Sequence, residues 1–142
     1  MTAISVTAEQ VAEVDPIKAV IRNYITGVAL TKGQAVYIVS ATGKLAIADG
    51  NGSGTKQFRG IALDAGGVGS AVRVLEAGDA YGFDLSGLNY DDPVYLSDTA
   101  GSLDTAPGTV TVYCGRVAPL TDGPTLSKVL RVATRLDGAD WA

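Results

Sequence analysis

The side chains of this sequence that could carry acid or base chemistry are carboxylates, because the chain contains no histidine among its 142 residues. That absence removes the commonest general base, the Ser-His-Asp constellation and most zinc sites together. Asp91 and Asp92 form an acidic pair beside a predicted strand, but neighbours in an extended strand point to opposite faces and do not converge on one substrate. We interpret the pair as part of a turn and expect no catalytic residue. A hydrolase that works through Asp92 is kept as an alternative.

The other acids and the glycine clusters have the positions of turn residues rather than of ligands. Four aspartates lie beside Gly, Ser or Thr, where Asp commonly hydrogen-bonds its own backbone: Asp98, Asp104, Asp122 and Asp137. They form no dense Asp-x-Asp ladder of the kind that calcium requires. Residues 49–57 lack the Gly-Lys-Ser/Thr ending of a phosphate-binding loop, and residues 66–69 precede a β-branched segment instead of a helix. We therefore expect no metal and no cofactor.

Composition and charge exclude further classes of function. The net charge is −4, and lysine and arginine occur singly, so no cationic stripe is available to follow a phosphate backbone. No run of eighteen apolar residues is present, and the amino terminus carries acids where a secretory signal carries bases. The lone cysteine, Cys114, lies in an apolar run and is predicted to be a buried thiol. We expect no direct nucleic-acid or membrane partner, and a protein that stays in the cytosol or in particles assembled there.

A duplicated segment is the main indication of the fold. Residues 33–45 match residues 91–103 without a gap, and looser matches follow in the same order. The matched positions are Val36-Tyr37 with Val94-Tyr95, Gly43 with Gly101, and Leu45 with Leu103. Short β-branched segments separated by Gly, Pro, Asn and Asp predict strands throughout residues 16–142. The fold class is therefore expected to be all-β: one domain, a small barrel or sandwich made of two similar β-hairpin units at about residues 33–78 and 91–136.

The first predicted strand covers residues 17–25. Its alternation places Ile17, Ile21 and Ile25 on one face and polar residues such as Arg22 mostly on the other. We expect one of the two faces to be buried.

The amino-terminal residues 1–15 differ from the rest because they contain no glycine and no hairpin signal. Thr7 and Gln10 have the spacing of a capping box, which predicts a short helix from about Ala8 to Glu13, although an extended arm fits equally well. An arm of this length buries little by itself, so it is either disordered or lies across another subunit. The candidate contact residues are Ile4, Val6 and Val11 in the arm and Trp141 near the carboxyl end. Trp141 would fill a pocket of a neighbouring subunit, with an exposed tail as the alternative.

Three segments of the chain resemble the capsid decoration, or head cement, proteins of tailed double-stranded DNA bacteriophages. They are AVIRNYITGVALTKGQAVYI, GIALDAG followed by SAVRVLEAG, and DPVYLSDTAGSLDTAPGTVTVYCGRVA. The likeness combines a Gly-x-x-Val-Tyr strand, a Thr-Ala-Gly-x-Leu turn and a terminal Gly-Arg-Val-Ala strand. It covers roughly residues 19–136, and its motifs are those of β-turns.

The resemblance implies a small β protein without catalytic residues, commonly a homotrimer. Such a protein binds the major capsid protein on the outer surface of the virion, at three-fold or quasi-three-fold positions, after assembly in the host cytoplasm. It stabilises the mature capsid against internal pressure. The candidate contact residues would then touch the capsid or another subunit. A head-fibre or tail component that contacts the host surface is the alternative function.

Overall fold

A computed structural model describes residues 3–51, 55–122 and 125–134. The described chain is built from antiparallel strands in one curled, half-barrel sheet, and its only helical element is a 3-10 turn at Ala8–Gln10, which confirms the predicted all-β class. The strands are β1 (Ala12–Glu13), β2 (Val20–Ile25), β3 (Ala35–Ile38), β4 (Leu45–Ile47), β5 (Gly60–Ala62), β6 (Ala71–Tyr81), β7 (Pro93–Leu96), β8 (Leu103–Asp104), β9 (Tyr113–Asp122) and β10 (Thr125–Ala133).

The sheet consists of two halves with the same internal strand order. Along the sheet the strands follow the order β4-β3-β5-β6-β10-β9-β7-β8, so β3 to β6 form a first half and β7 to β10 a second half. In each half the first strand lies between the second and the third, and the fourth pairs with the third. The two fourth strands, β6 and β10, pair with each other and join the halves.

Equivalent hydrogen bonds occur at equivalent positions of the two halves. Val36 lies opposite Gly60 in the first half, and Val94 lies opposite Gly115 in the second. The turn that enters each half is closed by the same side-chain bond: the backbone N–H of Thr31 donates to Gln34 Oε1 at 3.0 Å, and that of Asn89 donates to Asp92 Oδ2 at 2.8 Å. Thr31 and Asn89 are 58 positions apart in the sequence, as are Tyr37 and Tyr95, so the two bonds lie at equivalent positions of the repeat.

The glycine opposite each valine is required by a close approach of backbones. A Cβ atom on Gly60 would lie 2.5 Å from the carbonyl oxygen of Leu75, and one on Gly115 would lie 2.0 Å from that of Arg131. Both contacts are closer than a carbon and an oxygen atom can pack, so only glycine fits without movement of the neighbouring strand.

Residues outside the repeated strands cover the outer edges of β4 and β8. At β4, Thr26 forms a bridge with Leu45, whose carbonyl accepts the N–H of Gly27 at 2.9 Å. At β8, the amino-terminal segment does the same: the N–H of Ile4 donates to the carbonyl of Leu103 at 2.9 Å. Covered edges do not template pairing with other chains.

Two clusters of buried side chains form the core. The larger contains residues of both halves, including Phe58, Ile61 and Leu75 of the first and Leu96 and Leu130 of the second. The smaller lies within the first half and contains Val36, Leu45, Val72 and Val74 among others. Because the larger cluster crosses from one half to the other, the halves share one hydrophobic core.

The first strand corrects one sequence-based expectation. β2 begins at Val20, and Ile17 lies before it in a turn with 92% of its surface exposed. Neither face of β2 is buried: Ile21 packs partly against the larger cluster and Tyr24 partly against the smaller. Exposed and half-buried residues therefore occur on both faces of β2.

Candidate interaction surface

Where the structure describes their side chains, the aspartates bond backbone N–H groups, but the prediction that all of them are turn residues is only partly correct. Asp104 ends strand β8 and is 2% exposed, and Asp98 bonds a residue eleven positions away. Asp92 caps the turn at Asn89, Asp98 accepts the N–H and hydroxyl of Thr109, and Asp104 accepts the N–H of Ala106. No group of three or more His, Cys, Asp or Glu side chains that could hold a metal ion occurs among the described residues. The side chain of Asp122 and all of Asp137 lie outside the described part of the chain.

Cys114 is buried, as the sequence indicated. Burial raises the pKa of its thiol well above the usual value, because an apolar surrounding disfavours the charged thiolate. A thiol of this kind is a packing residue rather than a nucleophile.

The predicted arm residues lie against their own domain. Ile4 and Val11 are buried in the larger core cluster, and β1 pairs with β6. Val6 forms a bridge with Phe83 and keeps 37% of its surface exposed. Of these three candidates, therefore, only Val6 keeps appreciable exposed surface in the single chain. Trp141 lies outside the described residues.

The helix predicted for the amino-terminal segment is shorter than expected. It is a three-residue 3-10 turn, Ala8–Gln10, and Thr7 makes no side-chain capping bond to it. The chain then enters β1 instead of continuing as a helix, because the pairing of Ala12 and Glu13 with β6 satisfies their backbone groups. A local capping signal is here overridden by tertiary pairing.

The edge of β2 that faces away from β6 has no strand partner among the described residues. The N–H of Thr26 donates to the carbonyl of Ser70 at 3.0 Å, and alternate residues such as Tyr24 therefore direct their backbone groups to the β6 side. Ile21 and Asn23 direct theirs to the other side. We refer to this outward side of residues 20–25 as the open edge.

A groove and exposed apolar side chains accompany the open edge. The groove has a volume of about 410 Å³ and separates β2 from the turn between β3 and β4; it is lined by Asn23, Tyr24, Ile25, Thr42, Gly43, Lys44 and Ala71. Ile25, in the lining of the groove, is exposed, and Val20 at the other end of the strand and Ile17 just before the strand are exposed as well. Apolar groups beside unpaired backbone donors and acceptors are typical of a site where another strand adds to a sheet.

A buried carboxylate holds β2 rigidly in place. Glu76 of β6 is 3% exposed and accepts from Arg22 Nε at 3.0 Å and from the hydroxyl of Tyr24. Burial and the hydrogen bond to Glu76 raise the pKa of Tyr24 to about 12. Because both donors are on β2 and the acceptor is on β6, the network fixes the open edge in one position before any partner binds.

The sequence did not reveal this surface. Its alternation predicted a half-buried strand, and the signal for an edge strand would have been the pair Arg22 and Tyr24, polar or amphipathic groups on the face opposite the isoleucines. No helix in the described part of the chain is long and apolar enough to cross a membrane. No family model, no curated protein and no solved structure matches the chain.

Proposed function

We propose that this chain is a structural protein of a tailed double-stranded DNA bacteriophage, a capsid decoration protein that binds the outer surface of the mature capsid and stabilises it. The observation that carries the proposal is the open edge of β2, a rigid strand with unpaired backbone groups and exposed Val20 and Ile25. The resemblance of residues 19–136 to head cement proteins supports the same role. The partner is the major capsid protein, and the activity is binding rather than catalysis.

The open edge supports contact by strand addition. An extended segment of the capsid protein would pair with the outward backbone groups of Ile21 and Asn23, while its side chains cover Val20 and Ile25. The Glu76 network lowers the cost of binding because β2 is already ordered.

Stabilisation of the capsid follows from mass action. A protein that binds only the mature lattice stabilises that lattice in proportion to the logarithm of its free concentration over its dissociation constant. Several copies held together, in the trimer that the resemblance implies, add avidity across the seams between capsid subunits. The site of action is the outside of the virion.

The test compares two lysine substitutions at apolar strand positions of similar exposure. Ile25 is 46% exposed beside the open edge, and Leu126 of β10 is 53% exposed elsewhere. We expect Ile25→Lys to lower occupancy on purified capsids that lack this protein by about tenfold or more, because a charge enters the contact. Leu126→Lys is expected to bind like the wild type.

The same preparation tests the role in stabilisation. Capsids that carry the wild-type protein should release their DNA at a higher temperature than capsids without it. Equal heat resistance with and without the protein would reject the proposed function. Binding that is equally strong for both lysine variants would reject the open edge as the contact.

A further inference from the structure

A second surface with defined chemistry lies on the outer side of the second half, on β7, β9 and β10. The rings of Tyr95 and Tyr113 pack at a tilt with their centroids 5.1 Å apart. Beside them a hollow of about 310 Å³ is lined by Tyr113, Gly115, Arg116, Arg131 and Ala133. We call this surface the Tyr–Arg face, defined by Tyr95, Tyr113, Arg116 and Arg131. Arg116, Arg131 and Tyr113 are exposed.

The two arginines leave one positive charge without a carboxylate. Arg116 and Arg131 lie directly opposite each other across β9 and β10. Arg131 binds Asp79 through two bonds, of 2.8 Å from Nε and 3.2 Å from Nη2. Arg116 donates from Nη1 to the backbone carbonyl of Asp91 at 2.7 Å and forms no salt bridge with any described acid. Asp79 neutralises Arg131, so Arg116 is the cation of this face that an acid of a partner would pair with.

The corresponding surface of the first half is a protein contact. The strand pairing makes Ile61 equivalent to Arg116 and Leu75 equivalent to Arg131. Phe58 precedes Gly60 by two residues, as Tyr113 precedes Gly115. These first-half residues, Phe58, Ile61 and Leu75, are fully buried in the core cluster shared with the second half. The fold therefore covers this surface with protein in one half and leaves it open in the other.

We propose that the Tyr–Arg face binds an acidic segment of the capsid protein, as a contact separate from the open edge. The inference rests on the proposed function and adds the chemistry of the partner. Tyrosine and arginine are the residue types enriched at the energetic centres of protein interfaces. A planar guanidinium without a carboxylate fits an aspartate or glutamate through two parallel hydrogen bonds, and the adjacent rings cover the apolar stem of that acid.

The first experiment removes the unpaired charge. Arg116→Gln should weaken binding to capsids on the order of tenfold, and Arg116→Glu should weaken it further. Lys56→Gln removes the same unit charge from a described residue outside both surfaces and serves as the control. Because Arg116 is exposed and its bond to the Asp91 carbonyl lies at the surface, the melting temperature of Arg116→Gln should stay within a few degrees of the wild type, which separates lost binding from lost folding.

The second experiment identifies the partner group. Arg116→Lys keeps the cation and supplies an amine, and a carbodiimide then joins an amine and a carboxylate in direct contact as an amide. We expect peptide mass spectrometry of treated particles to show residue 116 joined to an aspartate or glutamate of the capsid protein.

The outcomes separate this inference from the proposed function. Wild-type protein that binds capsids, with Arg116→Gln binding equally well and no link from residue 116, overturns the acidic contact and leaves the decoration function standing. Wild-type protein that binds no capsid overturns both. A link from residue 116 only to a second copy of this chain also overturns the capsid contact, because the face would then join subunits.

Discussion

The two halves of the sheet share a strand order but not a surface. In the first half, Ile61 and Leu75 are fully buried in the core cluster that contains residues of both halves. In the second half, the equivalent Arg116 and Arg131 face solvent beside two tyrosine rings. The same backbone arrangement therefore carries a buried apolar surface in the first half and an exposed, charged surface in the second half. A repeat of strands conserves hydrogen bonding, whereas the chemistry of each copy follows from what covers it.

The strands that close the two halves differ as well. β2 closes the first half and is locked by the buried Glu76. Residues 3–13 cover the edge of β8 in the second half through the bond of Ile4 to Leu103, bury Ile4 and Val11 in the shared core, and pair through β1 with β6 of the first half. β2 keeps an open edge, whereas the apolar side chains Ile4 and Val11 of residues 3–13 are buried in the core of the same chain. The candidate contact with a partner thus moves from the amino-terminal segment to β2.

The largest effect is expected when residues are exchanged between equivalent positions of the two halves. Leu75→Arg places a charge where its second-half equivalent, Arg131, is exposed, but Leu75 is fully buried. We expect a loss of at least about 4 kcal/mol in the free energy of unfolding, because the guanidinium would be buried in an apolar cluster. Denaturant unfolding followed by circular dichroism measures it.

The reverse exchange is the control. Arg131→Leu should change the free energy of unfolding by no more than about 1 kcal/mol, since Arg131 is exposed and its salt bridge to Asp79 lies at the surface. Equal effects of the two exchanges would contradict the assigned difference in burial.

A smaller effect is expected at the turn that enters each half. Gly33 has a φ of +89° and the equivalent Asp91 has a φ of +66°, both in the left-handed region. Gly33→Ala should cost about 2 kcal/mol, because its Cβ would also lie 2.6 Å from Val6 Cγ1. Asp91→Gly should stabilise the protein by about 0.5 kcal/mol by relieving backbone strain. Thermal melting of both variants measures the two changes in stability. Changes of the same sign would contradict the claim that the two turns are equivalent.

A pH-dependent effect is expected where β2 closes the first half. Burial and the bond to Glu76 raise the pKa of Tyr24 to about 12, so in the folded state the phenol stays protonated where the unfolded one ionises. The resulting stability is fully present below about pH 10 and is lost as the pH rises towards 12, by about 1 kcal/mol after allowance for the partly exposed ring.

Tyr24→Phe isolates that contribution. Because phenylalanine cannot ionise, the difference in free energy of unfolding between wild type and variant should shrink over the same pH range. The raised pKa of Tyr95, caused first by burial, is common to both proteins and cancels in the difference. A difference that stays constant with pH would show that the Tyr24 hydroxyl does not couple to folding.

Much of the fold was predictable because its signals are local. The match of residues 33–45 to 91–103 predicted two equivalent hairpins, and Gly43 takes the left-handed conformation expected of it, with a φ of +74°. Asp92 bonds the backbone N–H of Asn89, three residues before it, as short polar side chains in turns do, whereas Asp98 bonds Thr109, eleven residues away. The open edge was harder to predict from the sequence, because an edge strand and a half-buried strand have the same alternation of residues.

By itself, the sequence determined where strands and turns occur, since β-branched runs, glycines and turn aspartates act on their immediate neighbours. It also determined that the two halves repeat, through matched residues at a constant spacing. Only the tertiary structure decided which copy is covered, that Ile4 and Val11 fill their own core, and that β2 keeps one edge unpaired. These outcomes depend on contacts between residues far apart in the chain, where a buried isoleucine and an exposed one have the same local pattern.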